Sequence, residues 1–516
     1  MVACTITNLL VSCSNQSTSE MAALSTAIDR QSISKDSMSL QESNTEEYGK
    51  IVENSFISPI KQALSTFSID VDEAAYSNVR RFIQGGQLPP KDAVRIEEMI
   101  NYFDYSYPQP TNNEPFSVNT ELGSCPWNKS HQLVHIGLQG KRIPKETLPA
   151  SNLVFLIDVS GSMEEPNKLP LVKSSLKMLT EQLRDEDRVA IVVYAGNAGL
   201  VLPSTNGSNK TKIKEAIDAL SAGGSTAGGQ GILLAYKTAL DNFKSKGNNR
   251  VILCTDGDFN VGVSGDDELV SLIEKQRATG IYLTVLGYGM GNYKDNKMQQ
   301  LADKGNGNHA YIDNMSEARK VLINEFGSTL FTIAKDVKLQ IEFNPTYVQA
   351  YRLIGYENRL LAAGDFNNDQ KDAGELGEGH TVTALYEIIP LGVKNEFDQP
   401  VDKLKYQNPT TVRTASGTEM MNIKLRYKLP KEEDSKLIVH PVAISAAIES
   451  SSNNFRFSAA VAEFGLLLRG SAYKQSSTYK QVMELAKQSK GEDTEGYRSE
   501  FVQLVQTAAA LDRENK

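Results

Sequence analysis

Oxygen-bearing side chains stand where two apolar stretches of the chain end. Asp158, Ser160 and Ser162 close the segment Leu153-Val-Phe-Leu-Ile-Asp-Val-Ser-Gly-Ser-Met163, and Asp256 closes Arg250-Val-Ile-Leu-Cys-Thr-Asp-Gly257. Apolar runs bounded by turns are typical of buried strands, and ligands of open α/β sheets bind beyond the carboxyl ends of such strands. Carboxylate and hydroxyl oxygens suit a hard divalent cation such as Mg²⁺. The pattern therefore predicts a cation site at this edge of a sheet.

A third hydroxyl belongs to Thr226, in the loop Gly223-Gly-Ser-Thr-Ala-Gly-Gly229 that leads into the predicted helix Gln230–Phe243. The two strand-end carboxylates and the three hydroxyls could converge on one ion. The alternative is purely structural, because Asp and Ser after a strand also cap helices and form turns. The presence of all five residues in chain order favours the metal site.

These five residues resemble the metal-ion-dependent adhesion site of von Willebrand factor type A domains. The resemblance covers about residues 147–330 and implies that Asp158, Ser160, Ser162, Thr226 and Asp256 hold Mg²⁺ or Mn²⁺. It implies that the two carboxylates act partly through water. It also implies that a carboxylate of a partner protein completes the metal shell, so that the cation joins two proteins.

The region 147–330 alternates between predicted strands and helices, which indicates an α/β fold with a doubly wound, mostly parallel, Rossmann-like sheet. Strands are predicted at 153–158, 188–195, 198–203, 250–256, 281–288 and 309–313. Helices are predicted near 167–184, 209–221, 229–244, 266–279, 294–304 and 315–334.

Modules of another kind flank this domain. Residues 51–146 predict a helical N-terminal module, with helices at Glu73–Ile83 and Asp92–Phe103 and two strands after them. Residues 331–516 predict a C-terminal module that is β-rich and then helical. The segments Phe67-Ser-Ile-Asp-Val-Asp72, Gly377–Glu387 and Phe455–Gly465 resemble the flanking modules of bacterial YfbK-type proteins. That resemblance implies an architecture and no particular activity.

The N-terminal residues 1–13 are interpreted as a lipoprotein signal remnant. Leu10-Val-Ser-Cys13 resembles a bacterial lipobox with Cys13 as the lipidated residue, and the polar residues 14–50 predict a flexible linker. Met1–Thr7 departs from a signal peptide, because it lacks Lys and Arg and the apolar stretch is short. We expect a lipid-anchored protein of the bacterial cell envelope. A disordered tail on a cytoplasmic protein is the alternative.

Composition and motifs narrow the function. The chain has 54 Lys and Arg against 63 Asp and Glu, for a net charge of −9, and no basic block, which argues against nucleic acid as a partner. No apolar run is long enough to predict a membrane-spanning helix. The motifs H-E-x-x-H, G-x-S-x-G and the P-loop are absent from the sequence, so no catalytic residues are predicted.

The loop Asp365–Glu375 begins like a calcium-binding EF-hand loop, but Gln370 stands where glycine is needed, which favours a polar hairpin turn.

These observations lead to a first hypothesis of a metal-dependent, non-enzymatic protein-binding module. The module would contact an acidic residue of its partner through Mg²⁺. Two alternatives remain open. One is an intracellular assembly factor, and the other is a Mg²⁺-dependent hydrolase, for which Asp258 is the nearest candidate base.

Overall fold

The computed structural model describes residues 46–111, 114–225, 228–257, 266–291, 293–325, 331–397, 417–444 and 451–514. Its strands are β1 (Leu64–Ser68), β2 (Phe116–Cys125), β3 (Asn128–Gly140), β4 (Ser151–Asp158), β5 (Arg188–Tyr194), β6 (Ala198–Asn206), β7 (Asn248–Thr255), β8 (Ile281–Tyr288), β9 (His309–Ile312), β10 (Thr332–Phe343), β11 (Val348–Ile354), β12 (Gly374–Gly377), β13 (Thr381–Pro390), β14 (Glu419–Lys428) and β15 (Lys436–Ala443). Its α-helices are α1 (Ala74–Gln84), α2 (Ile96–Asn101), α3 (Leu169–Gln182), α4 (Lys210–Asp218), α5 (Gly228–Asp241), α6 (Asp266–Arg277), α7 (Asp295–Lys304), α8 (Met315–Arg319), α9 (Asn453–Arg469), α10 (Tyr479–Gln488) and α11 (Tyr497–Glu514).

The central domain is built on a six-stranded sheet with the strand order β6-β5-β4-β7-β8-β9. Neighbouring strands are parallel, except that β6 runs antiparallel to β5. Every residue of β4 and β7 is buried, as the near-continuous apolar runs predict for strands covered on both faces. Helices α3, α4 and α8 contribute to the core on one face of the sheet, and α5, α6 and α7 to the core on the other. The predicted doubly wound, mostly parallel α/β fold is confirmed.

The last helix of this domain is shorter than predicted. The sequence predicts a helix over 315–334, whereas α8 ends at Arg319, a π-helical turn follows over Lys320–Asn324, and β10 has begun by Thr332. The buried ammonium of Lys320 pairs with the carboxylates of Glu73 and Glu325. Because the π turn bonds each residue to the fifth one after it, Glu325 lies above Lys320, and this tertiary ion pair overrides the helical pattern.

A β-sandwich is formed jointly by the segments before and after the central domain. One sheet has the order β1-β10-β14-β15, with β12 also paired to β10, and the other has the order β11-β13-β3-β2. All of these pairs are antiparallel. Both sheets contribute to one apolar core, in which the rings of Phe343 and Tyr351 stack with centroids 4.1 Å apart. The central domain is therefore inserted between two segments that complete each other's sheets.

A helical layer is likewise shared between the flanking segments. Helices α1 and α2 precede the central domain, α9, α10 and α11 follow it, and all five contribute to one core around Phe103, Phe457 and Phe501. The helix predicted over Asp92–Phe103 is interrupted, because Val94 and Arg95 are extended between a 3₁₀ turn and α2.

Tertiary ion pairs explain that interruption. The Arg95 guanidinium contacts the carboxylates of Glu98 (3.3 Å) and Asp295, the latter in the central domain. An extended backbone at Arg95 directs the side chain to these partners, and the local helix propensity does not decide the conformation.

Buried ion pairs join the flanking helices to the central domain. The fully buried Arg80 guanidinium of α1 donates to Asp313 (2.5 Å) and Glu317 (2.7 Å), which follow β9. The Tyr102 hydroxyl also donates to Glu317 (2.8 Å). These buried contacts connect the central domain to the flanking helices.

Candidate metal centre

The two predicted carboxylates lie on adjacent strands of the central sheet. In the parallel pair of β4 and β7, Ile157 is in register with Cys254, so Asp158 and Asp256 follow at the same edge. Both side chains are fully buried. The carboxyl ends of neighbouring parallel strands therefore bring the two acids together, as the sequence predicts.

The turn after β4 brings both predicted serines to Asp158. The Ser160 N–H donates to Asp158 Oδ1 (2.8 Å), and the Ser160 and Ser162 hydroxyl oxygens are 3.1 Å apart. A 3₁₀ turn over Gly161–Glu164 follows, and Met163 anchors it in the core. Ser160 is buried beside the carboxylate, whereas Ser162 is exposed to solvent.

The loop that precedes Thr226 is hydrogen-bonded to this same turn. Gly223 N–H donates to Val159 O (2.8 Å), and Gly161 N–H donates to Gly224 O (3.0 Å). Gly224 has φ +88°, a conformation that glycine adopts without strain. Thr226 itself lies outside the described residues, as does Asp258, so their assignments remain predictions.

Burial dominates the electrostatics of Asp158. It raises the pKa of this carboxyl from 3.8 to about 6, against hydrogen bonds from Ser160 that lower it, and the Asp256 charge raises it further. Asp158 Oδ2 is buried, and among the described residues no donor meets it with ordinary hydrogen-bond geometry, although the neighbouring Tyr194 hydroxyl also lowers the pKa. A buried carboxylate oxygen of this kind is costly unless a cation or donor approaches it.

Lys168 is a component of the site that sequence reasoning missed. Its ammonium donates to Asp256 Oδ2 (3.1 Å), and its side chain is only 6% exposed. The aliphatic stem passes over Gly289, where an added Cβ would lie 2.5 Å from Lys168 Cε. The sequence shows only that Lys168 stands ten residues after Asp158, at the start of a predicted helix. A lysine in such a position is usually on the solvated surface.

The donor set matches a hard cation bound through few charged groups. In the parts of the chain that the structure describes, no three His, Cys, Asp or Glu side chains converge as a metal site would require. A cation here would therefore depend on hydroxyl oxygens and water beside the two aspartates. Magnesium tolerates such a shell, because it usually keeps several waters and binds through one or two carboxylates. The oxygen donors present are therefore of the chemical type that Mg²⁺ or Mn²⁺ takes.

Two lysines of the chain contact the calcium-like loop Asp365–Glu375. The Lys338 ammonium donates to Asp365 O (3.3 Å) and Asn368 O (2.6 Å), and the Lys428 ammonium donates to Asp369 O (2.6 Å). Two internal ammonium groups thus lie against the backbone of this loop. Their positive charge disfavours a further cation there, which favours the polar turn over a calcium site.

The predicted anchor at Cys13 lies outside the described residues. Within the described ranges, the helices are all too short or too polar to cross a bilayer. Cys125 and Cys254 are buried with free thiols, in agreement with the core role predicted for Cys254.

Three family descriptions match successive parts of the chain. Residues 42–135 match the family described as von Willebrand factor, residues 152–325 match the von Willebrand factor type A domain, and residues 328–511 match the C-terminal region of the uncharacterized protein YfbK. The type A match contains all five of the predicted metal residues.

The chain is similar to curated proteins of bacteria. It is 46% identical over 462 residues to the uncharacterized protein YfbK of Escherichia coli strain K12, which covers 87% of this chain and 79% of that protein. It is 29% identical over 167 residues to the uncharacterized protein sll0103 of Synechocystis, covering 32% of this chain and 39% of that protein. A solved von Willebrand factor type A structure from Catenulispora acidiphila is 16% identical, with 74% of this chain and 89% of that chain covered and a TM-score of 0.41.

Proposed function

Because the chain belongs to the YfbK family and carries a von Willebrand factor type A domain at its centre, we propose that it is a metal-dependent protein-binding module without catalytic activity. Mg²⁺ or Mn²⁺ is held at the carboxyl edge of β4 and β7. A carboxylate of a partner protein completes the metal shell and is the recognised group.

One observation carries this proposal. Asp158, Ser160, Ser162 and Asp256 come from two separate parts of the chain and meet at one edge of the sheet. The loop before Thr226 is hydrogen-bonded to the same turn, through Val159 and Gly161. A helix cap or a turn would account for Asp158 alone. It gives no reason for a second buried carboxylate beside it.

The residues would divide the work as follows. Ser160, Ser162 and Thr226 supply neutral oxygens, and Asp158 and Asp256 supply negative charge from below. When bound, the cation supplies Lewis acidity toward an external anion. Ser162 is exposed, so a partner would approach from its side of the site.

Carboxylate recognition can be tested with acetate as the probe. The protein is loaded with Mn²⁺, and millimolar acetate is added while the relaxation of water protons reports the waters on the ion. We expect acetate to displace water from wild type. Asp158→Ala is expected to lose Mn²⁺ itself, because the ion loses the buried carboxylate.

The matched control is Asp218→Ala, which removes an exposed carboxylate that is paired with Lys177. This variant should behave as wild type. Bound Mn²⁺ whose waters are insensitive to acetate would contradict a carboxylate-accepting site.

The proposal includes a lipid anchor at Cys13 that holds the module on the bacterial envelope, supported by the lipobox-like segment and the polar residues after it. Fractionation of cells that express the full chain tests this part separately. Wild type is expected in the membrane fraction and Cys13→Ala in the soluble fraction. Equal distribution of the two would favour the cytoplasmic alternative.

A further inference from the structure

We propose that Lys168 is a built-in counter-cation that weakens metal binding at this site and strengthens the attraction of the metal-loaded site for a carboxylate. This inference rests on the proposed function, since it concerns the same site. It assigns a positioning and charge-setting role to a residue that supplies no oxygen ligand.

The contact between Lys168 and Asp256 is buried in the protein interior. Lys168 Nζ lies 3.1 Å from Asp256 Oδ2, with 6% of the lysine side chain and none of the aspartate side chain exposed. An ion pair that has left water is screened far less than a surface pair. The positive charge of Lys168 therefore acts on the site at nearly full strength.

The path of the side chain is prepared by the β8–α7 loop. Gly289 has φ +78° and leaves the space in which the Lys168 stem lies. The Tyr311 hydroxyl donates to Gly289 O and fixes that loop from below. The lysine is thus held over the sheet edge by packing and cannot simply turn away into solvent.

Formal charges give the consequence. The carboxylates of Asp158 and Asp256 with the ammonium of Lys168 carry a net charge of minus one, and a bound divalent cation changes this to plus one. One incoming carboxylate then neutralises the site. Without Lys168 the loaded site is already neutral. Glu164 and Glu165 at the rim are exposed and solvated, so their influence is screened.

Two measurements on Lys168→Met test the inference. The first is Mn²⁺ affinity, read from the free-ion electron paramagnetic resonance signal, and the second is the acetate response of the loaded protein. We expect Mn²⁺ to bind at least about tenfold more tightly, because a like charge has been removed. We expect acetate to bind several-fold more weakly. Lys168→Arg, which keeps the charge, should stay close to wild type in both.

Lys177→Met is the matched control, because it removes a lysine of the helix that follows Lys168, and the pair of Lys177 with Asp218 is exposed. It should change neither quantity, and thermal melts of each variant verify folding. Unchanged or weaker Mn²⁺ binding by a folded Lys168→Met would overturn the inference and leave the proposed function intact.

Failure of the proposed function gives a different result. Mn²⁺ binding by Lys168→Met but not by wild type would support Lys168 as the resident cation and contradict a metal-dependent role for the natural protein. Binding by neither protein would overturn both.

Discussion

At the residue scale, Asp158 is an acid whose burial makes its charged form unfavourable. Its folded pKa of about 6 lies above the value of 3.8 for an exposed aspartate, so the folded chain binds the proton more tightly than the unfolded chain. The free energy of unfolding of the metal-free protein therefore falls as pH rises from about 4 to 6. Ionisation of the buried carboxyl lowers the free energy of unfolding by about 3 kcal/mol at neutral pH.

The first prediction concerns Asp158→Asn, which keeps an oxygen acceptor for the Ser160 N–H but removes the charge. In EDTA at pH 7.5 the variant should be more stable than wild type, by up to about 3 kcal/mol. Saturating Mn²⁺ should raise the melting temperature of wild type only. A variant that melts lower in EDTA, or that responds to Mn²⁺ as wild type does, would show that Asp158 is a structural acid.

The site could be predicted from sequence only as far as its oxygen ligands. Strand ends and turn residues are visible in the order of residues, and Asp158, Ser160, Ser162 and Asp256 are brought together as the pattern indicates. Lys168 is not predicted, because its burial depends on a partner 88 positions away, and no local pattern in the sequence connects the two residues. Its role follows from Asp256 and Gly289, which only the fold places beside it.

At the element scale, helix α9 is buried along most of its length. Glu463 in the middle of this helix is completely buried, which raises its pKa from 4.5 to about 7, although the Ser477 hydroxyl nearby lowers it. As at Asp158, the raised pKa of an acid means that stability decreases as pH rises from about 4.5 to 7.

The second prediction follows from this burial. Glu463→Gln removes the charge with little change in volume, and should raise the free energy of unfolding at pH 8 by up to about 3 kcal/mol. At pH 4.5 the difference should nearly vanish, because the wild-type carboxyl is then protonated in the folded state. Chemical denaturation at both pH values measures this. An equal effect at both would mean that packing, not charge, separates the two proteins.

The elements of the central domain were predicted closely because their apolar periodicity is strong and local. Where the sequence failed, long-range charge decided the outcome. The π turn at Lys320–Asn324 is stabilised by the pairing of Lys320 with Glu73 and Glu325, and the break at Arg95 by its contact with Asp295. Neither partner of these contacts is recognisable from the periodicity of its own segment.

At the scale of the whole molecule, the flanking segments form one body around the inserted domain. Strand β3 pairs with β13 and β1 with β10, although about 200 to 300 residues separate the partners in the chain. Sequence boundaries at 146 and 331 mark the insertion but give no sign of the pairing, because each segment alone has an ordinary alternating pattern. The joint sandwich is a product of non-local register.

The third prediction tests the buried ion pairs between the flanking helices and the central domain. Arg80→Met leaves Asp313 and Glu317 buried without their counter-charge, and should lower the free energy of unfolding by about 3–5 kcal/mol. The double variant Arg80→Met/Glu317→Gln should recover part of this loss, since one unpaired carboxylate is then removed. Urea denaturation gives both values. Full additivity of the two single changes would contradict the coupling.

The measurement that tests the account most directly is a calorimetric titration of the chain from Ser14 with Mg²⁺ and then Mn²⁺, beside its Asp158→Ala variant. We expect weak, saturable binding of one ion by wild type that is lost in a variant of unchanged fold. A folded wild type that binds neither ion, or a variant that binds as wild type does, would contradict a metal centre at the carboxyl edge of β4 and β7.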